Sequence, residues 1–220
     1  MSTPVKGNLK GTSSRSRRSG GETDRRVAHG DATRANLVAV ARRLFGEQGY
    51  AETSADEIAA AAGVTKGALY HHFDGKEDLF RAVFEQVELE ISDKAASEFL
   101  NLPDAWEALT RGCALWVEAY LDPAVQRIVL SDARAVLGAA EVRAVENRFG
   151  AVALRGALRK AIYAGIIERQ PLRPLSQMLA GALGEACLYI ADAEDPELAR
   201  AEVTELIETM MSGFRVAAPA

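Results

Sequence analysis

The sequence predicts an all-α protein of about nine helices. The composition is 48% hydrophobic but only 6% aromatic, with Ala and Leu dominant and β-branched residues scattered. Apolar residues recur at helical spacing from residue 32 onward, and no alternating strand pattern interrupts them. A chain of 220 residues is long enough to bury a sizeable core.

Residues 1–31 form a segment without helical periodicity. They contain seven Lys or Arg residues against three acidic ones, and they are rich in Ser, Gly and Thr. Such a segment cannot offset its ordering entropy by burial, so we expect a disordered basic tail. A solvated tail and a basic arm that contacts nucleic acid both fit this composition.

The first helix is expected to begin near Ala32. Apolar side chains recur one turn apart from Leu37 to Phe45, which indicates an amphipathic helix. The sequence GEQGY at 46–50 contains two glycines and ends this helix.

Two short helices follow, each with a recognisable beginning. Ser54 and Glu57 have the spacing of a capping box, and Gly63 lies where the residue after a helix C-terminus is usually glycine. Thr65 is expected to cap the next helix, which the Asp-Gly pair at 74–75 ends.

A long fourth helix begins at about residue 76 and continues past Ile91. Five more helices are expected at about 103–121, 123–136, 139–164, 174–192 and 196–215. Four of them have a proline in their first turn, where its missing N–H costs no hydrogen bond.

The second and third helices have the dimensions of a helix-turn-helix motif over residues 54–73. In that motif the second helix places its N-terminal end in the major groove of DNA. Apolar side chains on the inner face would hold both helices against the first one. These inner-face residues are Ile58, Ala59, Ala62, Val64, Leu69 and Phe73.

The opposite face of the motif supplies the donors that base edges and phosphates accept. His72 lies nearer the inside and is interpreted as a hydrogen-bonded core histidine. Lys66 and Lys76 lie at helix N-termini, where a cation opposes the helix dipole unless an anion is nearby. The candidate DNA-binding residues are Thr53, Ser54, Thr65, Lys66, Gly67, Ala68, Tyr70, His71 and Lys76.

Residues 45–80 contain F-x-x-x-G-Y-x-x-T-S-x-x-x-I-A-x-x-A-G-V-T-K-G-A-L-Y-H-H-F-x-x-K-E-x-L-F. This pattern resembles the N-terminal domain of the tetracycline-repressor (TetR) family, whose members are homodimeric DNA-binding regulators and mostly repressors. The resemblance covers about 32–91. It implies that residues 54–73 bind a double-stranded DNA operator, that the last two helices form a homodimer, and that a small-molecule effector binds among the middle helices.

Two positions depart from the family pattern. Ala68 stands where the family often has Thr, so only a methyl group is left for apolar contact with a thymine. Gly75 stands where Ser commonly caps the next helix, and glycine is a weaker cap. The first departure removes one hydroxyl contact to DNA.

The expected domains are a tail at 1–31, a DNA-binding domain at 32–78, a ligand-binding and dimerisation domain at 79–215 and a flexible end at 216–220. Residues 32–84 contain six basic and seven acidic side chains, so the folded domain should make few phosphate contacts.

The resemblance assigns a pocket and an interface to the C-terminal helices. Side chains at helical spacing are candidates for the pocket, although such a pattern is also typical of plain core: Trp106, Cys113, Trp116, Tyr120, Phe149 and Tyr163. The last two helices have wide apolar faces, which suit a two-fold four-helix interface. Its candidate residues are Met178, Ala182, Leu183, Ala186, Leu206, Met210 and Phe214.

An enzyme is the first alternative, but the sequence has no Gly-rich phosphate loop, metal-ligand cluster or nucleophile motif, so we expect no enzyme, cofactor or metal. A DNA-organising protein without an effector is a second alternative. A regulator that responds to a protein or to oxidation of Cys113 is a third. With no signal peptide, no apolar span and only two cysteines, the sequence predicts a cytoplasmic protein without a membrane partner.

Overall fold

A computed structural model describes the backbone of residues 18–216 and their side chains except those of 18–27, 29, 98–101 and 150. Within this range the chain forms ten helices and no strand beyond an isolated bridge between Ile167 and Arg215. The all-α prediction is therefore confirmed. No helix in this range combines the length and apolarity of a membrane span.

The helices follow one another through short connections. The first four are α1 (Arg18–Gln48), α2 (Ala55–Ala61), α3 (Lys66–His72) and α4 (Lys76–Asn101). Next come α5 (Ala105–Tyr120) and α6, which is α-helical at Pro123–Val125, π-helical at Gln126–Asp132 and α-helical again at Ala133–Leu137. The last four are α7 (Ala139–Arg148), α8 (Gly150–Tyr163), α9 (Leu172–Asp192) and α10 (Pro196–Ser212).

Two boundaries differ from the sequence prediction. The helix predicted over 139–164 is two helices, which meet at Phe149, where φ is −115° and ψ is −69°. Its ring packs against the core and under Arg148, whose Cζ lies 4.3 Å from the ring centroid. Phe149 therefore marks the boundary between α7 and α8.

The first helix begins at Arg18, earlier than Ala32, so the predicted tail is wrong for residues 18–31. Extension of a helix that packing has already nucleated adds one hydrogen bond for each residue fixed, which explains the longer helix. The other part of the predicted tail, residues 1–17, lies outside the described residues, as do residues 217–220.

Helix α4 joins the two predicted domains. Its first half packs against α1, and its side chains Phe80, Val83 and Phe84 are fully buried. Its second half packs against α5 and α8. A single rigid helix therefore runs from the helix-turn-helix region into the core of the C-terminal helices.

A second connection links α6 to the end of α1. Asp132 accepts a hydrogen bond from the backbone N–H of Tyr50 at 2.8 Å, and Arg127 donates to the carbonyl oxygens of Gly46 and Glu47. The helices approach closely here because Gly46 has no side chain.

Candidate nucleic-acid interface and buried polar cluster

Helices α2 and α3 are both capped as the sequence predicts. The Ser54 hydroxyl accepts a hydrogen bond from the N–H of Glu57 at 3.1 Å, and the Thr65 hydroxyl accepts one from Ala68 N–H at 3.1 Å. The Glu57 carboxylate accepts from Gln48 at 2.7 Å, which ties α2 to α1. Both hydroxyls satisfy amide groups that a helix N-terminus leaves free.

The turn between these helices depends on Gly63. Its φ of +69° lies in the left-handed region that side chains disfavour, and the Val64 N–H then bonds back to the Ala59 carbonyl at 3.0 Å. On the other side, the Asn36 amide donates to the Ala62 carbonyl at 2.9 Å and fixes this end of α2 to α1. The angle between α2 and α3 is thus set locally.

The inner face of the motif is buried as predicted. Ile58, Leu69 and Phe73 are almost inaccessible and belong to one continuous core with α1 and α4. Arg34 of α1 covers the outer side of the Phe73 ring, with Cζ 4.9 Å from its centroid. Burial of this face leaves the opposite face of α3 in solvent.

The exposed face of α3 contains the side chains that the sequence singles out. Tyr70 is 47% exposed, His71 and Gly67 are also exposed, and Ala68 is half-buried. His72 is half-buried, with its ring centroid 5.3 Å from that of His71, so its predicted core position is only partly reached. The surface is convex and polar, as a helix that enters a groove requires.

Lys66 has an internal partner that the sequence interpretation did not identify. Its ammonium lies 2.8 Å from one carboxylate oxygen of Asp56 on α2 and 3.0 Å from the other. The hydrogen bond with Asp56 raises the pKa of Lys66. This carboxylate is the anion that makes a cation tolerable at the N-terminus of α3. Because the pair is fully exposed, a phosphate could replace Asp56.

Lys76 is held more firmly than the sequence suggests. Its ammonium donates to the carbonyl oxygens of Tyr50 at 2.8 Å and Thr53 at 3.0 Å, and it lies 4.0 Å from the Tyr50 ring centroid. Two of its three N–H donors are therefore used within the protein. Lys76 fixes the α1–α2 loop to the beginning of α4 and has one donor left for a phosphate.

Thr53 cannot contact DNA through its hydroxyl, so this prediction is wrong. The side chain is 1% exposed, and its hydroxyl donates to the Gly49 carbonyl at 2.8 Å. It lies one position before the cap Ser54, where the chain turns inward. Sequence spacing does not distinguish these two neighbouring hydroxyls.

The predicted pocket residues do not surround one cavity. Cys113 and Trp116 line a small cavity of about 10 Å³ between α4, α5 and α8, which has room for about one water molecule. Trp106 lies under Arg215, whose Cζ is 4.8 Å from the ring centroid. Tyr163 is 80% exposed at the end of α8, so its assignment to a pocket is wrong.

Phe149 lies elsewhere, in an open cleft of about 350 Å³ between α1 and α4. Charged side chains of both helices, including Arg34 and Glu85, share this cleft with the apolar Val38 and Leu89. The predicted aromatic set therefore contributes to two separate sites.

A buried polar cluster that the sequence interpretation missed lies between α4 and α5. Glu88 is fully buried, and one of its carboxylate oxygens accepts a hydrogen bond from the Tyr120 hydroxyl at 2.8 Å. Among the described residues, the other Glu88 oxygen and the Trp116 indole N–H have no partner. Desolvation raises the pKa of Glu88 to about 7, and the nearby Glu146 carboxylate adds to this effect.

The sequence contained a signal for Glu88. It lies one turn after Phe84 and one turn before Ile91, on the face of α4 that faces the core. An acidic residue within a buried stripe is unusual and often marks a functional site.

Both cysteines are poor candidates for a redox sensor. Cys113 and Cys187 are buried free thiols, and burial raises the pKa of each to about 12. The reactive thiolate is therefore scarce near neutral pH. This argues against the oxidation-sensing alternative.

The predicted dimer surface is only partly accessible. Met178 of α9 is 74% exposed and Leu206 of α10 is 67% exposed, and Ala182 also faces solvent. Leu183 is 1% exposed within the core, so its assignment to the interface is wrong. Three more predicted interface residues are half-buried against their own core: Ala186, Met210 and Phe214.

Sequence comparison divides the chain as the fold does. Residues 37–83 match the family described as "Bacterial regulatory proteins, tetR family". Residues 106–214 match "Tetracyclin repressor-like, C-terminal domain". The first match contains the helix-turn-helix, and the second contains α6 to α10 and most of α5.

Curated relatives match parts of the chain. The chain is 51% identical over 61 residues to the HTH-type transcriptional regulator AcrR of Shigella flexneri, a match that covers 28% of each chain. It is 32% identical over 118 residues to the transposon Tn10 TetC protein of Escherichia coli, covering 54% of this chain and 59% of that one. The matched segments thus span less than two thirds of these relatives.

One solved structure is similar over nearly its whole length. The crystal structure of a TetR-family transcriptional regulator from Pectobacterium atrosepticum is 35% identical, with a TM-score of 0.74. The match covers 87% of this chain and 98% of that chain.

Proposed function

The chain belongs to the tetracycline-repressor family of bacterial regulatory proteins, and we propose that it is a repressor that a small-molecule effector releases from a palindromic DNA operator. The observation that carries this proposal is the exposed face of α3. The inner face of α3 packs into the core, while Gly67, Tyr70 and His71 lie on its exposed face. Membership of a family does not by itself identify a DNA-binding surface. The exposed face of α3 supports one, because the second helix of this motif is the one that enters the major groove.

The DNA contacts divide between the two ends of α3. The helix N-terminus, with Thr65 and Lys66, carries the free backbone amides and the ammonium that suit a phosphate. Tyr70 and His71 lie one turn further along, where they can contact a phosphate or a base edge. The Lys66–Asp56 pair keeps the cation in position until DNA replaces the carboxylate.

We further propose a homodimer formed by α9 and α10. Exposed large apolar side chains are concentrated on these two helices: Met178, Leu188, Tyr189, Leu198 and Leu206. Side chains added at Gly181 and Gly184 would meet no atom within 4 Å, so the surface there is open to a second subunit. Two α3 helices would then contact half-sites about 34–36 Å apart or a multiple of this.

The domain division near residue 78 gives α4 a part in both functions. Lys76 at its beginning holds the loop before α2, and Glu88 lies three turns further along in the buried cluster. An effector that displaces α4 near Glu88 would move the support of α3. A coupling free energy of roughly 1–3 kcal/mol is enough to change DNA affinity about 5–150-fold.

The proposal includes no catalytic activity, cofactor or metal. Membership of a family of regulatory proteins supports this, as does the buried, weakly acidic state of both thiols. A protein of this function would act in the bacterial cytoplasm, where the chromosome lies.

The test begins with selection of DNA from a random library by the full-length protein, followed by sequencing. We expect an enriched sequence with two-fold symmetry. Affinity for that DNA is then measured against salt for the wild type and for Lys66→Ala. Loss of one phosphate contact should reduce the log–log salt slope by about 0.9.

Arg111→Ala is the matched control, because Arg111 is an exposed cation paired with Glu118 on α5, outside the motif. This variant should keep the wild-type slope. Enrichment of no sequence, or equal slopes for Lys66→Ala and Arg111→Ala, would contradict the proposed interface.

A further inference from the structure

The cluster of Glu88, Tyr120 and Trp116 has the chemistry of a ligand site. A fully buried carboxylate oxygen and a buried indole N–H without partners among the described residues are costly, since each loses its hydrogen bond to water. Tyr120 satisfies only one oxygen of Glu88. A group that donates a hydrogen bond to the second oxygen of Glu88 would remove the part of this cost that comes from the carboxylate.

The local charge selects between classes of ligand. The charged group that acts on Glu88 is another carboxylate, Glu146 of α7, which in turn faces the exposed Arg134 and Arg143. An anion would be repelled by Glu88, and a neutral alcohol would leave the carboxylate charge uncompensated. A cation compensates that charge and donates a hydrogen bond at the same time.

Aromatic rings next to Glu88 favour the same class. The Trp116 and Tyr120 rings are stacked, with an interplanar angle of 20° and centroids 6.1 Å apart. Their faces attract a cation, most strongly where water is excluded.

Trp116 also lines the small cavity, and its ring stacks on Tyr120, the hydrogen-bond partner of Glu88. It lines the cavity together with small side chains from three helices: Ala95, Ala108, Gly112, Ala153 and Ala157. Because the indole N–H has no partner among the described residues, Trp116 can turn without losing a hydrogen bond. Such a turn would join the cavity to Glu88, two turns or about 10 Å away along α4 from Ala95.

We propose that the effector is a monocationic amine with a small apolar body, which binds with its ammonium on Glu88 and its body beside Trp116 between α4, α5 and α8. This inference rests on the proposed function and names the effector class. Binding would separate α5 and α8 from α4, the helix that supports α3.

The test compares three probes that share a 2-phenylethyl group and differ in the polar group attached to it: 2-phenylethylammonium, 2-phenylethanol and 3-phenylpropanoate. Calorimetry with the full-length protein at pH 8 should show the amine binding at least tenfold more tightly than the alcohol, which corresponds to about 1.4 kcal/mol. The carboxylate should bind most weakly. Glu88→Gln should remove the preference for the amine, and Glu118→Gln, an exposed acid on α5, should keep it.

A second measurement uses only the wild type, so it decides the question even if Glu88→Gln does not fold. At pH 6 the wild-type carboxyl is mostly protonated, so amine affinity should fall several-fold from its value at pH 8 while alcohol affinity stays constant. Equal affinity for the amine and the alcohol, no binding of the amine, or amine binding that survives Glu88→Gln would overturn the inference.

Release of the selected DNA separates this inference from the proposed function. If only the alcohol or the carboxylate releases DNA, the effector class is wrong and the repressor proposal stands. If the protein selects no DNA, the repressor proposal fails, and the calorimetric preference still decides whether Glu88 binds amines.

Discussion

Polar side chains are exposed in the helix-turn-helix but buried at the α4–α5 interface. In the motif, Ser54, Thr65 and Lys66 are exposed, and each has a partner within ten residues. Between α4 and α5, Glu88 is buried and its partner Tyr120 lies 32 residues away, with one oxygen left over. The exposed side chains of the motif can therefore exchange their present partners for DNA. The buried Glu88 instead has one carboxylate oxygen that could accept a hydrogen bond from a ligand.

This difference indicates which binding event can change the packing of the protein. A phosphate that replaces Asp56 at Lys66 changes a surface interaction and leaves the fold unchanged. A ligand at Glu88 changes the packing of the helix that carries the motif. DNA recognition should therefore be separable from stability, and effector recognition should not.

The largest expected effect concerns Glu88. Its pKa is about 7 in the folded protein against an ordinary 4.5, so the folded state binds more protons between these values. Stability should therefore fall as pH rises from about 4.5 to 7 and then level off, by up to roughly 3 kcal/mol. Glu88→Gln should remove this slope and be the more stable protein at pH 8.

Chemical denaturation of the full-length protein at several pH values measures this slope. Glu118→Gln is the control, and it should keep the wild-type pH dependence because Glu118 is exposed. A fall in stability between pH 5 and pH 7 that is equally large in the wild type and in Glu88→Gln would show that Glu88 is not the responsible group.

The contact between α1 and α6 should be almost as sensitive to substitution. A side chain at Gly46 would lie 2.6 Å from the Cβ of Ala124, close to the α6 backbone. Gly46→Ala should force α1 and α6 apart and cost roughly 1–3 kcal/mol of unfolding free energy. Gly112→Ala, in a helix where a new methyl meets nothing within 4 Å, should instead stabilise by up to about 1 kcal/mol.

Thermal unfolding of these two variants distinguishes a packing effect from a general effect of glycine replacement. If both substitutions raise the melting temperature, the close approach of α1 and α6 is not a feature of the protein in solution.

A smaller effect distinguishes Lys66 of the motif from Lys76 at the beginning of α4. Lys76→Ala should lose two hydrogen bonds to carbonyl oxygens and a cation–π contact, at a cost of about 1–2 kcal/mol. Lys66→Ala should leave the unfolding free energy unchanged because its ion pair is fully exposed. Denaturation curves that shift equally for both variants would contradict the separation of recognition from stability.

The sequence predicted the motif well because the motif is determined locally. Each local feature of the motif depends on residues that are close in sequence. The caps Ser54 and Thr65 each bond an amide three positions later, and the turn at Gly63 is closed by a bond across five positions. The inner face followed from helical spacing. The error at Thr53 arose because two adjacent hydroxyls look alike until the loop conformation is known.

The C-terminal helices were predicted as helices, but their site was not. Which side chains meet depends on packing between distant elements, as in the bond between Glu88 and Tyr120. Helical spacing placed Tyr163 and Leu183 on plausible faces, yet the first faces solvent and the second faces the core. Apolar periodicity identifies a buried stripe without showing what covers it.

The central claim is that the exposed face of α3 binds DNA without supporting the fold. The most direct measurement compares Tyr70→Ala with Tyr163→Ala, since both remove an exposed tyrosine from a helix of the same protein. Affinity for the selected DNA and the melting temperature are recorded for each. We expect Tyr70→Ala to weaken binding at least tenfold and Tyr163→Ala to leave it unchanged, with wild-type melting temperatures for both. Equal DNA affinities for the two variants would contradict the claim.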